Sequence, residues 1–113
     1  MTESQRIAAA AAPVTIEDSL GRQLEVKRLS RRELMRYMRQ WGEASNITNW
    51  FGQAIIAVTV VSLDGKPVPQ ATTVDRVEAT VDMLGAEGFD AVAQWLAAQG
   101  ETEEKELRAA AKN

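Results

Sequence analysis

The chain has 113 residues, 45% hydrophobic and 26% charged, with a net charge of −3, which is typical of one small globular domain. It contains no histidine and no cysteine, which excludes Ser-His-Asp hydrolases, thiolate nucleophiles, disulfides and cysteine-based zinc or iron–sulfur sites. Because nucleotide-binding glycine motifs are absent as well, we expect a protein that binds another protein and is not an enzyme, with no cofactor and no metal.

The two ends of the chain differ in composition from its middle. Residues 1–13 hold a run of alanines and end at Pro13, which predicts a flexible N-terminal arm. Residues 99–113 are acidic and then alanine-rich, and we interpret them as a C-terminal tail. The packed part is therefore predicted to be a single α+β domain over residues 14–98. Its longest apolar run, at residues 54–61, is too short to span a membrane.

A β-hairpin is predicted at the start of this domain. Apolar residues alternate with polar ones at Val14, Ile16, Leu24 and Val26, a period that is typical of paired strands with one buried face. The connection between the two runs suits a tight turn with Gly21 in the left-handed conformation.

The first two predicted helices follow the hairpin. Ser30 and Glu33 have the spacing of a capping box, and Gly42 is suited to end the helix that begins there. A second helix is predicted over about residues 47–63. Many residues in that segment are β-branched, which favours a strand, but their apolar positions recur at helical spacing.

Two further helices are predicted after a turn at Asp64-Gly65. Thr72 or Thr73 is expected to cap the third helix, which ends at Gly85. A last helix is predicted over about residues 87–98, with Gly100 stopping it. The fold class is thus α+β, an N-terminal β-hairpin followed by about four α-helices that pack on one face of the small sheet.

Charge is divided unevenly along the chain. Residues 27–39 hold six basic side chains, of which Arg32, Arg36 and Arg39 share one helical face. Residues 75–106 are strongly acidic. This separation favours an electrostatic surface for a partner, or a self-contact between the basic and acidic ends. Ordinary solvated helix faces would carry similar charges, and that alternative stays open.

Four large aromatic residues are candidates for either core or contact. Trp41 and Phe51 lie on apolar helical stripes and are predicted to be core. Trp50 and Trp95 flank their stripes, which favours a role as anchors for a partner. The candidate protein-binding residues are therefore Arg32, Arg36, Arg39, Trp50 and Trp95.

Several short stretches, taken in order, carry a family resemblance. They are Val14-Thr15-Ile16, Gly21-Arg22, Val26-Lys27-Arg28-Leu29-Ser30, residues 60–69, and Leu84-Gly85-x-x-Gly88. Each is a common structural device, but their order and spacing over roughly residues 14–98 resemble the tail assembly chaperones of long-tailed phages and prophages.

This resemblance implies a function, partners and a location. Such chaperones bind the tape-measure protein, a long helical chain with exposed apolar stretches, and keep it soluble in the cytoplasm of the bacterial host while the tail tube protein polymerises around it. The family has no catalytic residues. We expect a homo-oligomer in which an apolar groove near the second helix takes the client and the charged faces set assembly. Many members also exist in a longer, frameshifted form, and an Ala111-Lys112-Asn113 end is compatible with a slippery codon run.

Two alternatives to a chaperone remain. A virion structural protein, such as a minor tail or head-completion protein, would stay in the finished particle. A small nucleic-acid-binding regulator would use the basic residues 27–39. The net charge of −3 argues against nucleic acid as a partner, because nucleic-acid-binding domains usually carry net positive charge.

Overall fold

The computed structural model describes residues 12–112, and for part of the helix beyond residue 101 it describes the backbone only. The predicted N-terminal arm therefore lies almost wholly outside the described residues. The elements, in chain order, are β1 Val14–Glu17, β2 Gln23–Val26, α1 Arg31–Trp41, a 3-10 helix Gly42–Asn46, α2 Thr48–Thr59, β3 Val60–Leu63, β4 Lys66–Pro67 and α3 Val74–Lys112.

The prediction of a two-stranded hairpin followed by about four helices is wrong. The fold is a small α+β domain, but its antiparallel sheet has four strands in the order β1-β2-β3-β4. Residues 12–112 contain three α-helices. The third is long and leaves the helical conformation once, at Gly85 (φ 65°, ψ −177°). Gly100 does not end it, because the helix continues to Lys112.

The predicted second helix is too long at its C-terminal end. Helix α2 ends at Thr59, and the chain continues directly into β3, which pairs with β2. Asp64 and Gly65 both have positive φ, 49° and 80°, which is the two-residue turn that suits the twist of a hairpin. The Asp64 side chain accepts a 2.8 Å hydrogen bond from the Gln23 backbone N–H. This bond connects the turn to β2.

Two clusters of buried side chains form the core. The first joins the sheet to both parts of α3 and the second joins the helices to one another. The first contains Leu24, Val26, Val60, Leu84 and Val92, and the second contains Trp41, Ala54, Ala57, Ala71 and Val77.

Trp41 is the centre of the second cluster, which confirms its prediction as a core residue. It is only 4% exposed, and its indole N–H donates a 2.8 Å hydrogen bond to the Ala71 carbonyl. Its ring stacks on Tyr37 and meets Trp50 and Phe51 edge-on. One side chain therefore joins α1, α2 and the extended chain that precedes α3.

The hairpin turn docks on the break in α3, and we call this contact the Arg22 junction. Gly21 has a φ of 80°, as predicted. The Asp18 carboxylate accepts hydrogen bonds from the Leu20 and Arg22 backbone N–H groups and from Arg22 Nε, at 3.0, 2.9 and 2.7 Å. The Arg22 guanidinium donates in turn to the Leu84 carbonyl at 2.5 Å. A cation here stabilises the carbonyl end of the first part of α3, where backbone acceptors lack helical partners.

Candidate protein-binding surface

Helix α1 is fixed at its start and exposed along most of its length. Its capping box is present, with Glu33 N–H donating to Ser30 Oγ at 3.1 Å and Ser30 N–H donating to Glu33 Oε1 at 3.2 Å. Trp41 is its one fully buried residue. Met35 and Met38 are 65% and 38% exposed. The helix thus presents to solvent apolar side chains that are not part of the core.

The three predicted arginines do form one surface, which we call the cationic face of α1. Arg32, Arg36 and Arg39 are separated by four and then three residues and are all exposed. Residues at this spacing lie on one side of a helix. None of the three is paired with a carboxylate in the part of the chain that the structure describes. Their charge is therefore available to a partner.

An acidic counterpart lies on the first part of α3, and we call it the acidic face of α3. Asp75, Glu78 and Asp82 are separated by three and then four residues and are all exposed. The start of the helix is set by Thr73, whose hydroxyl accepts a 3.2 Å hydrogen bond from the Arg76 backbone N–H. This cap was one of the two expected from the sequence.

A groove between α2 and α3 borders this acidic face. It has a volume of about 340 Å³ and is lined by Trp50, Gln53, Val77, Glu78, Val81 and Asp82. We call it the Trp50 groove. Trp50 is partly buried, since its ring packs edge-on against Trp41 with centroids 5.4 Å apart. The groove thus combines an apolar floor with two carboxylates on its rim.

A second surface lies around the extended chain after β4. A pocket of about 320 Å³ on one side of this chain is lined by Val68, Pro69, Arg76, Ala79, Thr80 and Met83. A pocket of about 310 Å³ is also lined by Val68 and Pro69, together with Leu29, Tyr37, Val58 and Val61 among others. We call the residues Val61, Val68, Pro69, Ala79 and Met83 the Pro69 surface. Val61 and Met83 are 36% and 40% exposed.

Charged and polar groups border the second pocket of the Pro69 surface. Lys27 Nζ and Glu33 Oε1 lie 3.8 Å apart at its rim. Burial raises the pKa of the Tyr37 hydroxyl above its ordinary value, and the nearby Glu33 charge raises it further, while Arg36 opposes the rise. The Tyr37 hydroxyl is therefore neutral at physiological pH and is available as a hydrogen-bond donor.

The structure brings some of the sequence-predicted binding residues together and separates others. The three arginines share α1, and Trp50 borders the groove beside the acidic face. Trp95 is partly buried and packs against the first core cluster, so it joins neither the arginines nor Trp50. Val68 and Pro69 were not among the binding residues predicted from the sequence, which indicated only a turn at Asp64-Gly65 in this part of the chain.

Two other kinds of feature are absent from residues 12–112. No helix there is long and apolar enough to cross a membrane. No group of three or more acidic side chains in that part of the chain is placed to hold a metal ion.

Comparison with known proteins adds no relative. No family model, no curated protein and no solved structure matches the chain. The surfaces described above are therefore the basis for a functional proposal.

Proposed function

We propose that the protein is a phage tail assembly chaperone that binds the tape-measure protein and keeps it soluble in the bacterial cytoplasm during tail tube assembly. The observation that most favours this function is the Pro69 surface. Two pockets of about 320 and 310 Å³ share Val68 and Pro69 as a common wall. The exposed side chains of Val61 and Met83 beside these pockets offer apolar contacts to another protein.

The shape of the Pro69 surface suits an amphipathic helical client. The apolar pocket beside Met83 accepts an apolar side chain of such a helix, as in helix-in-groove recognition. Pro67 and Pro69 restrict the backbone between the pockets, so little conformational entropy is lost on binding. The flexible Met83 side chain adapts one pocket to different client residues.

One alternative function has an observation of its own. The cationic face of α1 has no acidic partner in the described part of the chain, which favours a phosphate-binding regulator. The acidic face of α3 and the net charge of −3 oppose it, because both repel a phosphate backbone. A regulator would bind duplex DNA with an affinity that falls steeply as salt rises.

Co-expression with the tape-measure protein encoded in the same genome tests the proposal. We expect the client to be soluble, and to co-purify, only when this chain is present. Met83→Lys places a charge in an apolar pocket and should lower the recovered client at least about tenfold, as is typical for an interface anchor. Leu20→Lys is the matched control, because Leu20 is 62% exposed on the hairpin turn and lines neither pocket of the Pro69 surface.

Two results would contradict the proposal. If the client stays insoluble with the wild-type chain, and the chain is instead found in purified virions, the protein is a structural subunit. If Met83→Lys and Leu20→Lys recover equal amounts of client, the Pro69 surface is not where the client binds.

A further inference from the structure

We propose that two copies of this chain bind each other through the cationic face of α1 on one copy and the acidic face of α3, with the adjoining Trp50 groove, on the other. This self-association surface goes beyond the proposed function and does not depend on it, because it uses neither the Pro69 surface nor a client.

The two faces carry opposite charges, and the spacing of these charges is the same. Along α1 the arginines are separated by four and then three residues. Read from the C-terminal end of the acidic face, the carboxylates are also separated by four and then three residues. Two antiparallel helices therefore bring three pairs into register over about 10 Å: Arg32 with Asp82, Arg36 with Glu78, and Arg39 with Asp75. A parallel arrangement offsets the middle pair by one residue.

The apolar neighbours of both faces fit the same antiparallel arrangement. At 100° per residue, Met35 lies on one side of the three arginines, and Val81 lies on the corresponding side of the three carboxylates. When the helices run antiparallel, these two sides coincide. Met35, which is 65% exposed, is then directed to the Trp50 groove, whose floor includes Trp50, Val77 and Val81. A long, flexible methionine side chain is suited to fill such a cavity.

The partner is a second copy because one chain carries both halves of the interface. All six charged residues are exposed, and none is paired within the described part of the molecule. Bringing complementary faces together removes the apolar rim of each from water and steers the encounter electrostatically. A contact of this kind closes into a dimer when it is made twice about a twofold axis. Otherwise it repeats from copy to copy and forms an open filament.

Charge exchange tests the pairing. The arginine-reversed chain carries Arg32→Glu, Arg36→Glu and Arg39→Glu. The acid-reversed chain carries Asp75→Lys, Glu78→Lys and Asp82→Lys. We expect the wild-type chain to self-associate in sedimentation velocity at about 0.1 M salt, and each reversed chain alone to bind itself at least about tenfold more weakly. Mixing the two reversed chains should restore association, because opposite charges face each other again.

Two controls separate this interface from general electrostatics and from misfolding. A chain with Lys66→Glu, Arg76→Glu and Lys105→Glu has the same change in net charge as the arginine-reversed chain, at exposed positions outside both faces, and it should associate like the wild type. Circular dichroism and thermal unfolding check that each variant folds. If the acid-reversed chain does not fold, Asp75→Asn, Glu78→Gln and Asp82→Asn replace its substitutions, and the neutral variant should also lose self-association.

Several outcomes would overturn the proposal. A wild-type chain that stays monomeric at about 100 µM, well above the range of a stable homo-oligomer, has no such interface. Reversed chains that associate like the wild type, or that do not recover on mixing, show that other surfaces are used. If the monomeric wild type instead binds an acidic helical client or duplex DNA through its arginines, the cationic face serves that partner and not a second copy.

Discussion

Asp18 shows how one side chain connects the sheet to α3. Its side chain is fully buried and pairs with Arg22, whose side chain is 23% exposed. Burial raises the pKa of the Asp18 carboxyl. Hydrogen bonds from Arg22 and Leu20, together with the Arg22 charge, lower it by more, so the pKa lies below the ordinary value of 3.8. The folded protein therefore holds this carboxylate ionised more firmly than the unfolded chain does.

Stability should depend on pH through this group. Because the folded-state pKa is the lower one, the stabilisation is fully present above about pH 4 and is lost as the pH falls through the folded-state value. Asp18→Asn should cost about 1–3 kcal/mol at pH 7, since it leaves Arg22 without its charged partner, and the difference from wild type should shrink towards pH 3. Urea unfolding at both pH values measures this.

Asp64→Asn is the matched control for Asp18→Asn. Asp64 also accepts a backbone hydrogen bond in a turn, and asparagine tolerates its positive φ. We expect it to change the free energy of unfolding by less than about 0.5 kcal/mol, as exposed substitutions usually do. An Asp18→Asn chain whose deficit is the same at pH 3 and pH 7 would show that the ion pair is not the cause.

At the scale of elements, Gly88 determines how closely α3 approaches the Arg22 junction. A Cβ atom at this position would lie 3.1 Å from Arg22 Nη2 and 3.2 Å from Leu84 Cβ. Leu84 is completely buried, so it has little freedom to move away. Gly21-Arg22 and Leu84-Gly85 are far apart in the chain, and the fold places them in contact.

Replacing glycine by alanine in two helices separates the effect of tight packing on stability from the effect of helix propensity. Gly88→Ala should destabilise the fold by about 1 kcal/mol, because overpacking of about 1–3 kcal/mol exceeds the gain of about 1 kcal/mol in helix propensity. Gly52→Ala should stabilise by about 0.5–1 kcal/mol, since nothing lies within 4 Å of its added Cβ. Denaturant midpoints compare them, and equal shifts would contradict the tight fit at Gly88.

Local signals predicted the start of α1 and several turns, but not where α2 becomes β3. The Ser30–Glu33 capping box and Gly21 conform to short-range rules that one sequence displays. Residues 60–63 carry both a helical spacing and β-branched side chains, and pairing with β2 decides between them. Gly100 was expected to end a helix. An exposed glycine costs a helix only about 1 kcal/mol relative to alanine, and here the helix passes through it.

At the scale of the whole molecule, the sequence indicated charges but not how they are arranged. The arginine spacing on α1 was visible because one helix contains all three residues. The Trp50 groove could not be predicted from the sequence, because it requires α2 and α3 to lie side by side. The Pro69 surface likewise depends on an extended segment that runs between elements distant in the chain. Surfaces assembled from several elements follow from tertiary packing, which short-range patterns do not encode.

The last part of α3 offers a test of which residues make up the folded unit. Among the described residues, the core clusters and the side chains packed on them end at Leu96. Beyond it, Gly100, Glu101, Lys105, Arg108 and Ala109 are exposed. A chain ending at Gln99 should therefore keep the melting temperature of the full chain within about 2 °C, because surface residues away from the core contribute little.

The same truncation also checks the self-association surface. Residues 101–106 hold four glutamates, so a cationic α1 has a second acidic segment to which it could bind. If the acidic face of α3 is the true partner, the chain ending at Gln99 will self-associate like the wild type in sedimentation velocity. If association is lost while the melting temperature is kept, the C-terminal glutamates hold the arginines and the proposed register is wrong. A large fall in melting temperature would instead place residues 100–112 within the cooperative fold.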